Sequence, residues 1–224
     1  MNPLSQSRLL IALIAALTTS PFALHADDSH SRAGGASIAF HYVGRVSLNF
    51  LTGTGTVYGY FTSLAGIPSA APLFQGAPSE ATAFLTFRAD ISFQALPGNG
   101  PIGGGQFAVT PILVTPGNFR IYFTPAPAHD WNNPDTFSSG QVAATLARAP
   151  ELFAVLGSSA INAGSAALQS SSTFPLNGLP MNLRDVFPNG VTDITTGPTI
   201  ALPGSTPTAP IFAFAGYSLV IGNN

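Results

Sequence analysis

The densest polar chemistry in the chain lies in the loop after Phe123, where His129, Asp130, Trp131, Asn132, Asn133 and Asp135 crowd together. Asp130, Asn132 and Asp135 carry the oxygen donors that calcium collects in sets of about six to eight. Trp131, the only tryptophan, offers a flat face for a sugar ring or another apolar plane. His129 is one of two histidines placed to serve as a general base, the other being His41. The loop lacks the glycine and the odd-position spacing of an EF-hand, and Asn and Asp beside Pro are also what an ordinary turn requires. Two readings follow: a site for calcium or a glycan, or a structural loop whose tryptophan packs onto the end of the fold.

A second constellation is spread over three segments. His41, Arg45, Arg88, Asp90, Arg120 and Tyr122 each fall on the polar side of an alternating run. If those runs neighbour one another in a barrel with a polar lumen, they converge on a pocket for a small polar or anionic ligand, with Arg88 and Arg120 donating. If the same face meets solvent, Arg88 and Asp90 form a surface pair of little energetic consequence.

Recognised catalytic motifs are missing from the sequence. There is no G-x-S-x-G elbow, no H-E-x-x-H zinc helix and no phosphate-cradling glycine loop before a helix. The glycines at 53, 55 and 59 miss the dinucleotide spacing and read as a turn. Glu80 and Glu151 do not form an evident glycosidase pair, although a pair drawn from Asp90, Asp130 and Glu80 stays open.

The elements that must carry these residues are strands. Tyr42, Gly44, Val46, Leu48 and Phe50 alternate with His41, Val43, Arg45, Ser47 and Asn49, the period of a strand with one buried face. Gly53 and Gly55 turn the chain into a return strand at 57–61. From Thr82 to Ala95 the alternation is the longest in the chain, and it suits a coiled sheet or barrel. The 96–105 segment is a glycine and proline turn. Pro111 marks the strand at 107–114 as an edge or a bulge, and Phe119, Ile121 and Phe123 give a further strand.

Val142 to Ala149 reads as a strand, and Pro150 to Phe153 as a short helix closed by Gly157. Residues 165–174 read as an outer strand, and Asn177-Gly178 signals a hairpin. Asn182 should cap one helical turn that ends at Pro188-Asn189-Gly190. The segment at 211–221, apolar on both faces, is expected to close the core and to be covered on both sides. The whole is an all-β domain of about eight or nine strands with one or two short helical turns, an antiparallel barrel or a two-sheet sandwich.

Composition narrows the class. Of 224 residues only 7% are charged, the net charge is −2, and 46% are hydrophobic with 17 phenylalanines. Disorder is excluded, and no basic footprint for nucleic acid is present. Residues 1–26 read as a signal peptide, with an apolar run at 9–17 and cleavage near Ala26; that run is too short to anchor the chain stably in a membrane. Residues 27–37 form a polar lead-in and 38–224 a single domain. With no cysteine, a secreted chain would be held by its core alone.

The expected protein is thus a periplasmic or extracellular binding or structural module for a small molecule or glycan, with self-association open. An alternative is a barrel isomerase or cyclase for a lipid-like substrate oriented by Arg88, Asp90, Arg120 or Tyr122. An outer-membrane barrel comes third.

Overall fold

A computed structural model describes residues 37–67, 72–96, 109–156 and 158–222. The leader, the lead-in as far as residue 36 and most of the 96–105 turn lie outside the described residues. In chain order the strands are β1 (Ile38–Asn49), β2 (Thr54–Leu64), β3 (Leu85–Ala95), β4 (Val109–Val114), β5 (Gly117–Phe123) and β6 (Gln141–Arg148). They continue with β7 (Glu151–Leu156), β8 (Ser159–Ser171), β9 (Phe174–Leu176), β10 (Leu179–Met181), β11 (Gly190–Pro198) and β12 (Ile211–Val220). One helical turn, α1 (Leu183–Val186), follows β10, and two 3-10 turns occupy Glu80–Thr82 and Pro134–Ser138.

Every ladder is antiparallel, and β12 returns to pair with β1, so the sheet closes on itself. The result is an eight-stranded barrel. Its staves are β1, β2, β3, β4 with β5, β6 with β7, β8, β11 and β12. The two double staves are each one long strand, interrupted at Thr115-Pro116 and at Ala149-Pro150. Val114 pairs with Glu151 above the breaks and Gly117 with Arg148 below them, so the interruptions face each other. Proline has no N–H for a ladder, and placing both breaks at one level confines the loss to a single gap.

The strand over 151–156 corrects the expected short helix. Pro150 followed by Glu imitates a helix start, but β7 completes ladders with β4 and β8, and Phe153 and Val155 line the interior. Likewise β8 begins at Ser159 and is an ordinary stave rather than an outer strand.

The apolar face of each run is the inner one. Leu85, Phe87, Ala89, Ile91 and Phe93 are buried, as are Phe40, Tyr42 and Leu48. One end is plugged: Phe174 and Leu176 from the β9–β10 hairpin, with Leu183, Val186 and Phe187, join Phe40, Phe61, Leu85, Phe123, Val191 and Val220 in one cluster. The hairpin turns on Asn177 and Gly178 at φ 50° and 82°, as a two-residue loop with left-handed central positions requires. Asn182 caps α1, its side chain accepting from the Arg184 N–H at 3.0 Å. A second cluster of Leu48, Ile91, Phe93, Ile112 and Val114 occupies the opposite end. The last strand closes the barrel, but its outer face is not covered: Ala215 is exposed and Tyr217 and Leu219 are half-buried. Its apolar outer residues reflect small and aromatic side chains on a low-charge wall, not a covering layer.

Candidate functional site

Beyond the plugged end the barrel holds a partly open cavity of about 360 Å³, and the second apolar cluster forms part of its wall. Its walls are mostly hydrocarbon, from residues such as Val46, Ala89, Ile91, Phe119, Phe153 and Phe212. A closed eight-stranded barrel is just wide enough to be filled by side chains or to hold one small ligand. Here space remains, and two polar groups of residues border it.

The first group flanks the proline break of β6 and β7. That break shifts the alternation, so Arg148 and Glu151, three residues apart, both face inward. Arg148 Nη1 lies 3.6 Å from Glu151 Oε2, and their side chains are only 8% and 10% exposed. Asn162 Nδ2 on β8 donates to the same Oε2 at 3.1 Å. Two glycines make room. A Cβ at Gly164 would lie 2.5 Å from Glu151 Cδ, and one at Gly117 would lie 3.2 Å from Arg148 Nη2. Burial pushes the Glu151 carboxyl up; Arg148 and Asn162 pull it down, and the Asp193 charge raises it further. Arg148 Nε and Nη2 and Asn162 Oδ1 are buried without a hydrogen-bond partner.

The second group centres on Asp193 of β11. Its Oδ1 accepts from the Tyr42 hydroxyl and from Ser218 Oγ at 2.8 Å, while Thr195 Oγ1 lies 3.0 Å from Oδ2 and 2.7 Å from the Tyr42 oxygen. Tyr42, Ser218 and Thr195 thus each donate to the Asp193 carboxyl, and the Tyr42 and Thr195 oxygens lie side by side beneath it. Burial pushes the Asp193 carboxyl up, against the pull of its hydroxyl partners. Burial, then the neighbouring Asp193, likewise pushes the Tyr42 phenol up.

The residues singled out from the sequence lie elsewhere. The polar faces of β1, β2, β3 and β5 are the outer wall, because the faces richer in apolar side chains took the interior. Arg88, Asp90, Arg120 and Tyr122 do come together there, with Asn118 and Ser138, around an external groove of about 330 Å³. Arg88 is engaged by Asp135 and, at 3.5 Å, by Asp90. His41 stands apart, its Nδ1 2.6 Å from Ser63 Oγ. A polar lumen built from these residues is therefore corrected to an apolar one.

The 124–140 loop folds down onto the same wall. Trp131 packs on Phe137, Tyr58 and Tyr60 with ring centroids 4.9–5.9 Å apart, and the Arg45 guanidinium sits 4.7 Å above its ring. His129 is buried, and its Nδ1 donates to the Thr136 carbonyl at 2.7 Å. Asp130 Oδ1 accepts from the Asn132 backbone and side chain at 2.9 and 3.1 Å. The carboxylates of the expected calcium set, Asp130 and Asp135, thus serve the turn and Arg88, and Asn132 serves Asp130. Among the described residues no group of three or more His, Cys, Asp or Glu converges as a metal would require.

Sequence reasoning passed over Tyr42, Arg148, Asn162, Asp193, Thr195 and Ser218. One signal was there: Asp193 shares a strand face with Val191, and a lone acid on the apolar side of a short strand needs an internal partner.

Fold and cavity together define a closed, antiparallel, eight-stranded barrel with a mostly apolar lumen. Comparison of the chain with protein-family models, with curated proteins and with solved structures gives no match.

Proposed function

We propose that this protein is an exported binding barrel that holds one small, largely apolar molecule in its lumen. The observation that carries the reading is the partly open lumen cavity of about 360 Å³, within the range of about 300–1,000 Å³ usual for small-molecule sites, with a few polar groups converging on its wall. Export rests on the apolar run at 9–17 and the small residue at Ala26. The inside-out distribution supports a water-exposed barrel over an outer-membrane one: charged Arg88, Asp90 and Arg120 sit on the outer wall and hydrocarbon fills the lumen, the reverse of a membrane barrel.

The test is direct. N-phenyl-1-naphthylamine, a neutral dye that brightens in apolar surroundings, should bind saturably, and Ala160→Phe, which narrows the lumen, should weaken it at least about tenfold. Unsaturable dye emission, or equal binding by a folded Ala160→Phe, would remove the lumen as a ligand site.

A second reading, an isomerase or cyclase on a lipid-like substrate, draws support from Glu151 and Asp193, two carboxyls in different surroundings beside one apolar cavity. Such a pair can divide acid and base roles. Incubating the protein in D₂O with an apolar β,γ-unsaturated ketone should then place deuterium on carbon, and Glu151→Gln should abolish the incorporation. Incorporation no faster than in buffer rejects this reading for that substrate class.

A further inference from the structure

The unpartnered atoms on the lumen wall say what the ligand must offer. Arg148 Nε and Nη2 are donors, Asn162 Oδ1 is an acceptor, and all three are buried without partners. Their side chains meet at one atom, Glu151 Oε2, so the orphans belong to a single corner of the cavity. Each buried unsatisfied group carries a desolvation penalty, larger for a charged one. Arg148 and Asn162 are held in place by Glu151, and Gly117 keeps the wall open beside Nη2.

Charge narrows the chemistry. The lumen wall holds one cation, Arg148, already paired with Glu151, and a second carboxyl, Asp193, which three hydroxyls engage. A ligand anion would meet the Glu151 carboxylate, and a ligand cation would meet Arg148. A hydrocarbon would leave all three orphans as they are. A hydroxyl satisfies both kinds at once, its oxygen accepting from Arg148 and its proton going to Asn162 Oδ1.

We propose that the Arg148–Asn162 corner is a receptor for a neutral hydroxyl group, so that the lumen selects an apolar alcohol over a fatty acid or a hydrocarbon of the same length. This rests on the lumen being a ligand site. The hydrocarbon part lies along Phe119, Phe153 and Phe212, and the hydroxyl is fixed at the break between β6 and β7.

The experiment displaces bound N-phenyl-1-naphthylamine from the wild-type protein with decanol, decanoate and decane. Decanol should act at a concentration lower than decane by about tenfold, the scale of one net hydrogen bond, and lower than decanoate at neutral pH. Arg148→Met and Asn162→Leu, each compared at its own dye affinity, should lose the preference for decanol over decane. Decane matching decanol, decanoate outcompeting both, or an undiminished preference in folded Arg148→Met would each overturn the hydroxyl assignment. That assignment fails alone in those cases, because the dye still binds. If the dye itself does not bind, the lumen reading fails and the assignment goes with it. The wild-type series needs no variant, so a misfolded Arg148→Met leaves the outcome decisive.

Discussion

Glu151 and Asp193 face the lumen on either side of Gly164: Asp193 is its ladder partner on β11, and the Glu151 side chain lies across it from β7. One missing Cβ lets two carboxyls share a stretch of wall in a mostly apolar interior.

Gly164→Ala should therefore destabilise the protein by about 1–3 kcal/mol through overpacking. The new methyl meets the Glu151 carboxyl, and the Arg148 pair must move with it. Urea unfolding measures the loss, and Ala163→Gly on the outer face provides a control. If Gly164→Ala costs less than the control, the glycine does not hold the site open.

Asp193→Asn should keep most of these contacts, because an amide oxygen still accepts from Tyr42 and Ser218 and its NH₂ donates to Thr195 once that hydroxyl turns toward Tyr42. Asp193→Ala should cost at least about 2 kcal/mol, since it strands three hydroxyls. The pH dependence separates the protonation states. A carboxyl whose folded pKa is raised keeps its proton longer in the folded state, so stability is greatest below the unfolded value of about 3.9 and falls as pH rises toward the folded value. Asp193→Asn should reduce that decline. Thermal unfolding from acid to neutral pH will show it, and greater wild-type stability at rising pH, lost in Asp193→Asn, would mean an ionised Asp193.

His129 should act with the opposite sign. Burial lowers its pKa against the opposing hydrogen bonds of its surroundings, so the folded state resists protonation. Its contribution is present above the unfolded value of about 6.5 and is lost as pH falls through the folded one. His129→Gln should flatten the acid side of the stability profile, and an unchanged profile there would contradict a neutral buried imidazole.

Trp131 should be blind to the lumen. It lies on the outer wall among Tyr58, Tyr60 and Phe137, so saturating the cavity with decanol should leave its emission maximum in place. Arg45→Met, which removes the cation above the ring, should shift that emission. A large shift on ligand binding would show the loop coupled to the cavity.

Much of the barrel was legible because burying one face enforces a two-residue period. Leu85 to Phe93 and Tyr42 to Leu48 show it plainly, and the Asn177-Gly178 turn and the Asn182 cap follow from backbone and capping chemistry alone. The site was not legible, for physical reasons. Polar side chains occur on both faces of these strands, and the conspicuous ones, Arg88 and Arg120, were free to face water. Arg148 and Glu151 share a face only because Ala149-Pro150 breaks the alternation, and the same proline made Glu151 look like the start of a helix. Asp193 meets Tyr42 through a closure between the first and last staves, a relation no local window contains.

That closure also bears on how the chain reaches its final state. Along the barrel, successive staves pair with the one just synthesised, and only β8 with β11 must bridge an intervening hairpin. The exception is β12 with β1, which joins the two ends of the domain and bears the largest loop-closure entropy. Hairpins should form early and β12 should zip last, so its amides should be the last to gain protection in pulsed hydrogen exchange. Until that moment the sheet is open, with two bare edges and a row of phenylalanines facing water, and a cysteine-free chain has no covalent tie to hold the ends together. The Tyr42–Asp193 bond spans that seam while Ser218 of β12 holds the acid from the other side, making the buried acid a latch that engages only when the ring is complete.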